Sequence, residues 1–157
     1  LAIKIDPSIA NTYNNRANAK SELEDFKGAI EDHDKAIKIE PTSLFSFFNR
    51  GVLKKKMEDI QGAIHDFSKV LEIDPSFSNA YFLRGDLLFQ EEDFEGASKD
   101  FEKVIEFGED PCLGEVYRKN GIAKKELGNM EDACNNWYEA GDEGDEDAED
   151  LIKEYCE

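Results

Sequence analysis

A period of 34 residues runs through most of this 157-residue chain and constrains its fold more than any other feature. The dipeptides Asp6-Pro7, Glu40-Pro41 and Asp74-Pro75 recur at that interval. If the proline is counted as position 32 of a unit and the next unit starts three residues later, four units fit, with a two-residue insertion near residues 108–111. Such a period predicts copies of one supersecondary unit that bury their apolar faces against neighbouring copies.

Each unit is predicted to form two helices, because its apolar residues recur at helical spacing. Position 8 is always small, as Ala17, Gly51, Gly85 and Gly121, and position 20 is always alanine, as Ala29, Ala63, Ala97 and Ala133. Small side chains at these positions let two helices approach closely. Residues of the type that caps helix N-termini precede the second helix at position 16, as Asp25, Asp59, Asp93 and Asn129.

Positions 7 and 23 change together from unit to unit. Three units pair arginine with aspartate and the fourth has asparagine twice, giving Arg16/Asp32, Arg50/Asp66, Arg84/Asp100 and Asn120/Asn136. We infer that the two positions touch between the helices of a unit. This assigns the arginines a structural role and argues against their use in binding a substrate phosphate.

The pattern resembles the tetratricopeptide repeat family over nearly the whole chain. The resemblance implies an all-α fold, a right-handed superhelical solenoid of antiparallel helix pairs with about four units and a C-terminal capping helix. Two departures are present. His33 replaces the usual aromatic residue at position 24, and the third unit lacks proline at position 32.

The predicted organisation is a single repeat array over residues 1–157. Its parts are residues 1–7 as the end of a preceding repeat, 10–43, 44–77, 78–111 and 114–141 as four repeats, and 145–156 as the capping helix. The interpretation of residues 1–7 predicts further repeats upstream. Leu151, Ile152 and Tyr155 form the expected apolar face of the capping helix.

The net charge of −18 makes nucleic acid and anionic membranes poor partners. Ten of the acidic residues lie between Glu139 and Glu157. No stretch approaches 18 apolar residues, so membrane insertion is not predicted. The three cysteines are odd in number and lack a C-x-x-C spacing, which predicts no disulfide framework and favours a cytoplasmic location.

Signals of catalysis are nearly absent. The two histidines, His33 and His65, fall on a core position and on an outer helix face. No catalytic or phosphate-binding motif occurs, and the acidic segment from Asp142 to Asp150 lacks the pattern of a calcium loop. The chain is therefore predicted not to be an enzyme and to bind neither a cofactor nor a metal ion.

In the resembled family, the first helices of successive units line a concave groove in which peptides bind. The candidate groove residues are Asn14, Asn18, Phe45, Phe48, Asn49, Val52, Lys55, Asn79, Phe82, Phe89 and Arg118. The four phenylalanines exceed what the core positions need, so they are candidate anchors. The alternative is that they pack against the adjacent first helix or the chain termini. Lysines and Arg118 flank them and would suit a peptide of some acidic character.

The predicted function is a non-enzymatic protein-interaction scaffold or adaptor that binds a peptide or partner helix in the groove. The alternatives are self-association through exposed ends of the array, and a regulatory role beside a catalytic domain elsewhere in a larger protein.

Some family members bind the carboxylate-ended tails of heat-shock chaperones. Asn18 and Asn49 match the asparagines of that clamp. Asn14, Asn79 and Leu83 stand where it uses basic residues, which argues against this ligand.

Overall fold

The structure is a computed structural model that describes residues 7–108 and 112–156. Within these ranges all regular elements are α-helices, and the all-α prediction is confirmed. The helices are α1 (Pro7–Glu22), α2 (Phe26–Ile39), α3 (Leu44–Lys56), α4 (Ile60–Ile73), α5 (Ser78–Gln90), α6 (Phe94–Phe107), α7 (Leu113–Glu126), α8 (Met130–Asp142) and α9 (Asp147–Tyr155). They form four helix pairs and one further helix, as the repeat pattern predicts.

The chain divides into two compact units, one ending at Phe77 and the other beginning at Ser78. In the first unit, α1 packs on α2, α2 on α3, and α3 on α4. In the second, α5 packs on α6, α6 on α7, α7 on α8, and α9 on α8. The repeat pattern predicts one array. In the structure, the first unit contains two helix pairs, and the second contains two helix pairs and the C-terminal helix.

Each helix pair turns through the same short connection. The predicted N-caps are present: the side chains of Asp25, Asp59, Asp93 and Asn129 each accept a hydrogen bond from a backbone N–H three residues later. The residue before each cap has a left-handed backbone. It is glutamate in three turns, with φ of 61–62°, and Gly128 in the fourth, with φ of 82°. Only the fourth turn uses the residue that adopts this conformation without steric cost.

The small residues at position 8 let the two helices of a pair touch. A Cβ atom on Gly51 would lie 2.9 Å from the Phe67 ring, and one on Gly85 would lie 3.0 Å from the Phe101 ring. In the first pair, position 8 is Ala17, which carries a Cβ and is fully buried, and position 24 is the smaller ring of His33. The size of the residue at position 8 therefore varies with the ring at position 24.

The predicted contacts between positions 7 and 23 are confirmed in all four pairs. The distances are Arg16 Nε–Asp32 Oδ2 2.6 Å, Arg50 Nε–Asp66 Oδ2 2.8 Å, Arg84 Nε–Asp100 Oδ2 2.7 Å and Asn120 Nδ2–Asn136 Oδ1 3.0 Å. The three arginines each donate a second bond to the same carboxylate. Such a two-pronged pair fixes both the separation and the rotation of the two helices.

The described residues begin with α1, whose first described residue is Pro7. Proline suits the first turn of a helix, because the N–H that it lacks would have no partner there. The rest of the predicted preceding repeat, residues 1–6, lies outside the described residues.

The C-terminal helix α9 is shorter than predicted, running from Asp147 to Tyr155. Ala148 is its buried residue, Leu151 and Ile152 are half-buried, and Tyr155 is 37 % exposed. The expected apolar face is present, and it packs on α8. This arrangement fits a helix that covers the end of a repeat unit.

The expectation that the cysteines form no disulfide is wrong. Cys134 in α8 and Cys156 after α9 are joined by a disulfide bond. Counting cysteines and their spacings could not show this pair, because it depends on α9 folding back along α8. Cys134 is therefore half-buried and bonded, and the cysteines no longer favour a cytoplasmic location.

None of the helices in the part of the chain that the structure describes combines the length and apolar character needed to cross a lipid bilayer.

Candidate functional site

The first helices of the first unit, α1 and α3, lie side by side and exchange polar contacts. Asn49 Nδ2 donates to Asn18 Oδ1 at 3.3 Å, and Ser46 Oγ donates to Asn14 Oδ1 at 2.8 Å. Asn18 and Asn49 are both on the predicted groove face, so the structure brings together two residues that lie 31 positions apart in the sequence. Their side chains keep hydrogen-bonding capacity at this surface, because each amide has donors and acceptors beyond the one bond.

A cavity of about 160 Å³ opens between α1, α2 and α3. Its lining residues are Asn18, Ser21, His33, Asn49, Val52 and Leu53. The volume would hold several water molecules or one side chain of a ligand. Hydrogen-bonding groups and apolar carbon face the same space, which is the mixture that binding pockets use to fix orientation. We call these six residues the α1–α3 pocket.

His33 closes the floor of the α1–α3 pocket and is 1 % exposed. Its Nδ1 lies 3.0 Å from Asn14 Oδ1. Burial, with a smaller contribution from the nearby Arg50 charge, lowers the pKa of His33 to about 4. Asp32, Asp34 and Asp66 act in the opposite direction on this pKa but do not outweigh burial. The imidazole is consequently neutral at neutral pH.

We expect the first unit to lose stability as the pH falls below 6.5. An unfolded histidine binds a proton near pH 6.5, whereas folded His33 resists it until about pH 4, so protons favour the unfolded chain in this interval. Between pH 6.5 and 5 the loss is about 2 kcal/mol. The measurement is urea unfolding followed by circular dichroism across this range.

The matched variant for this pH dependence is Ala17→Gly/His33→Phe, which copies the pairs Gly51/Phe67 and Gly85/Phe101 of the next two repeats. It should abolish the loss of stability between pH 6.5 and 5. His65→Gln, which removes an exposed imidazole, should leave it in place. An unchanged pH dependence in the double variant would show that carboxylates cause it and that His33 does not.

The four candidate phenylalanines differ in their surroundings. Phe45 is 67 % exposed. Phe48 is half-buried, with its ring centroid 5.9 Å from that of Phe67 and 5.1 Å from that of Phe77. In the second unit, Phe82 and Phe89 pack against the core formed by α6 and α7. Three of the four rings are therefore packed within the chain, and of these four Phe45 alone presents most of its ring to solvent.

The basic residues that flank the candidate site are engaged within the chain. Lys54 lies 2.9 Å from Asp66, and Lys124 lies 2.5 Å from Glu102. Lys119 contacts Asp86 and Glu115, and Arg118 Nε lies 2.9 Å from Asp145 Oδ2. These contacts neutralise much of the positive charge that was expected to attract an acidic peptide.

The eleven candidate groove residues divide between the two units. Seven lie in the first unit and four in the second. Asn18, Phe45, Val52 and Asn79 are exposed, while Asn14, Phe48, Asn49, Lys55, Phe82, Phe89 and Arg118 are intermediate.

Sequence reasoning assigned His33 to the core and did not name it or Leu53 as lining the site. Position 24 carries an aromatic residue in each of the three other units. The only signal for His33 was therefore its departure from that pattern. The sequence pattern also gave no sign that Asp145 is the partner of Arg118. The two residues are 27 positions apart, and this spacing does not recur with the 34-residue period.

In residues 7–108 and 112–156 there is no group of three or more histidine, cysteine, aspartate or glutamate side chains able to hold a metal ion. A second, open pocket of about 180 Å³ lies in the second unit, lined by Cys112, Gly114, Glu115, Glu143, Gly144 and Asp145. Three carboxylates, those of Glu115, Glu143 and Asp145, make its lining acidic.

Comparison with known families finds the tetratricopeptide repeat three times. One profile of this repeat matches residues 10–43, and another matches residues 46–77 and 78–107. A comparison with curated proteins finds no match.

Among solved structures, a crystal structure of MamA is 19 % identical, has a TM-score of 0.77, and aligns over 92 % of this chain and 83 % of its own. MamA residues 41 to the end from Desulfovibrio magneticus RS-1 have a TM-score of 0.71 at 19 % identity, over 87 % of this chain and 75 % of theirs. The first repeat domain of Spaghetti (RPAP3), bound to the HSP90 peptide SRMEEVD, has a TM-score of 0.70 at 22 % identity, over 81 % and 99 %. At these identities the likeness concerns the fold.

Proposed function

Because this chain belongs to the tetratricopeptide repeat family, we propose that it is a protein-interaction scaffold whose first unit binds a peptide across the face of α1 and α3. Repeats of this family are generally non-catalytic interaction modules. The observation that carries the proposal is the exposed aromatic ring of Phe45 on the helix α3 that also supplies Asn49 and Val52 to a pocket with both polar and apolar walls.

Three residues of α3 place the proposed contacts on one face. Phe45, Asn49 and Val52 are spaced at i, i+4 and i+7, so their side chains follow one another along the helix. Phe45 is 67 % exposed and Val52 is 39 % exposed. A peptide lying along this face would bury both apolar groups, and aromatic anchors contribute much contact area for few rotatable bonds.

The asparagines would fix the orientation of the bound peptide. Asn18 and Asn49 share one hydrogen bond, and their remaining amide donors and acceptors can bind the backbone of an extended peptide. A backbone amide matches these groups without a net charge on either side. Lys20 and Lys54 are held by Asp32 and Asp66 of the chain, so an acidic peptide gains little from these two cations.

The chaperone tail bound by the Spaghetti (RPAP3) domain is a poor candidate for this chain. Its sequence, SRMEEVD, ends in three acidic residues and an apolar one. Asn14 lies where the clamp of such domains uses a basic residue, and here it contacts His33 and Ser46 instead. We therefore propose an uncharged, apolar-containing peptide segment of a protein partner, with an affinity on the order of micromolar, or roughly −8 kcal/mol.

Selection of peptides from a display library on the full chain tests this proposal, followed by titration of the selected peptides. Phe45→Ala/Val52→Ser should weaken their binding by about tenfold or more, since both apolar contacts are lost. Both side chains are exposed, so circular dichroism should show an unchanged fold.

The matched control is Tyr138→Ala, which removes an aromatic ring that is 49 % exposed on α8 in the second unit. It should bind the selected peptides as the parent chain does. Equal binding by the parent and by Phe45→Ala/Val52→Ser would place the peptide elsewhere and contradict the assignment of the α1–α3 face.

A further inference from the structure

The C-terminal helix α9 is held to the second unit by a small face that packs on α8. Ala148 is its one buried residue among those described. The Tyr155 ring lies 5.7 Å from the ring of Trp137, between centroids, and Lys125 Nζ lies 4.6 Å from the Tyr155 ring centroid. Arg118 pairs with Asp145, just before the helix. A helix of nine residues is marginal in water by itself, so α9 depends on these contacts.

The composition of α9 weakens it further. Asp147, Glu149, Asp150 and Glu154 place four carboxylates on a nine-residue helix whose one cation is Lys153. Three of the four lie in the first turn, where the helix dipole favours them, but Glu154 lies at the opposite end. Repulsion among like charges in neighbouring turns opposes the helix when it is not held by packing.

The disulfide bond between Cys134 and Cys156 joins the C-terminal end of α9 to α8. The two residues are 22 positions apart, so the bond encloses the end of α8, the connecting loop and all of α9. A covalent link over a segment of this length restricts the detached states, and favours the docked state by on the order of 10²-fold. This link is therefore a larger constraint than any single side-chain contact of α9.

We propose that the Cys134–Cys156 bond is a redox-sensitive latch that keeps α9 docked, and that its reduction releases α9 while α7 and α8 stay folded. Reduction breaks the S–S bond. A dithiol reductant supplies two electrons and two protons, becomes a disulfide itself, and leaves Cys134 and Cys156 as thiols. Release of α9 uncovers the surface around Trp137, whose indole is fully buried when α9 is docked.

Direct contacts between α7 and α8 stabilise this helix pair without α9. Trp137 Nε1 donates to the carbonyl oxygen of Arg118 at 3.2 Å, and Asn120 is bonded to Asn136. Val116, Ala123 and Ala133 are fully buried. These contacts join α7 to α8 directly, and none of them involves a residue of α9.

Hydrogen exchange of the full chain measured by mass spectrometry tests the latch. The experiment uses the Cys112→Ser variant, so that Cys134 and Cys156 are the remaining thiols of the three in the sequence. On addition of dithiothreitol, amides of residues 147–155 should exchange on the order of 10²-fold faster, while amides of α7 keep their rates. The fluorescence of Trp137, the one tryptophan of the chain, should become more accessible to acrylamide.

The matched control is Cys112→Ser/Cys156→Ser, which cannot form the bond and should show the fast exchange of α9 without reductant. If α9 exchanges equally slowly in the oxidised and reduced chains, packing alone holds it, and the proposal is wrong. If reduction also accelerates exchange throughout α7 and α8, the bond stabilises the whole second unit and is not a latch for α9.

Discussion

Asp66→Ala is expected to lower the free energy of unfolding by about 3–5 kcal/mol, because it removes the buried carboxylate that two largely buried cations share. The Asp66 side chain is fully buried and accepts two hydrogen bonds from Arg50, at 2.8 and 2.6 Å, with Lys54 at 2.9 Å. The Arg50 and Lys54 side chains are only 13 % and 17 % exposed. Urea unfolding monitored by circular dichroism measures the loss.

The chain itself offers the control for this substitution. Its fourth repeat replaces the arginine–aspartate pair by Asn120 and Asn136, which share a hydrogen bond of 3.0 Å. The double variant Arg50→Asn/Asp66→Asn should therefore lose less stability than Asp66→Ala, although it also gives up the contact of Arg50 with Asp34. A cost below about 1 kcal/mol for Asp66→Ala would show that water solvates the two cations and that the pair resembles a surface ion pair.

Gly121→Ala is expected to destabilise the second unit by about 3 kcal/mol, since the added methyl group has no room. Its Cβ would lie 2.4 Å from Trp137 Nε1 and 3.0 Å from the backbone oxygen of Ala133. Trp137 is fully buried and its indole is fixed by the bond to Arg118, so neither atom can withdraw without separating α7 from α8. Thermal unfolding followed by Trp137 fluorescence gives the change directly.

Gly141→Ala in α8 separates this packing effect from helix propensity. A Cβ atom on Gly141 would meet no other atom within 4 Å. Alanine is the better helix former, so this variant should gain about 0.5–1 kcal/mol. If Gly121→Ala also gained stability, the close approach of α7 and α8 would not be what glycine provides at that position.

The sequence by itself determined the repeat, its helix pairs and the pairing of positions 7 and 23. The 34-residue period, the caps such as Asp59 and the simultaneous change to Asn120 and Asn136 all repeat within one chain. A contact that is present in every repeat leaves a recurring mark on the sequence. Such marks report what lies inside a helix pair, where the geometry is the same each time.

The tertiary structure decided what occurs once. The burial of Phe48 under Phe77, the cavity above His33 and the pairing of Arg118 with Asp145 are not marked by the 34-residue pattern. The disulfide of Cys134 with Cys156 likewise depends on where a single terminal helix comes to rest. The repeat pattern therefore gave Phe45 and Phe48 the same role, as candidate anchors of the groove. Only the packing of the two rings showed that one is exposed and the other half-buried.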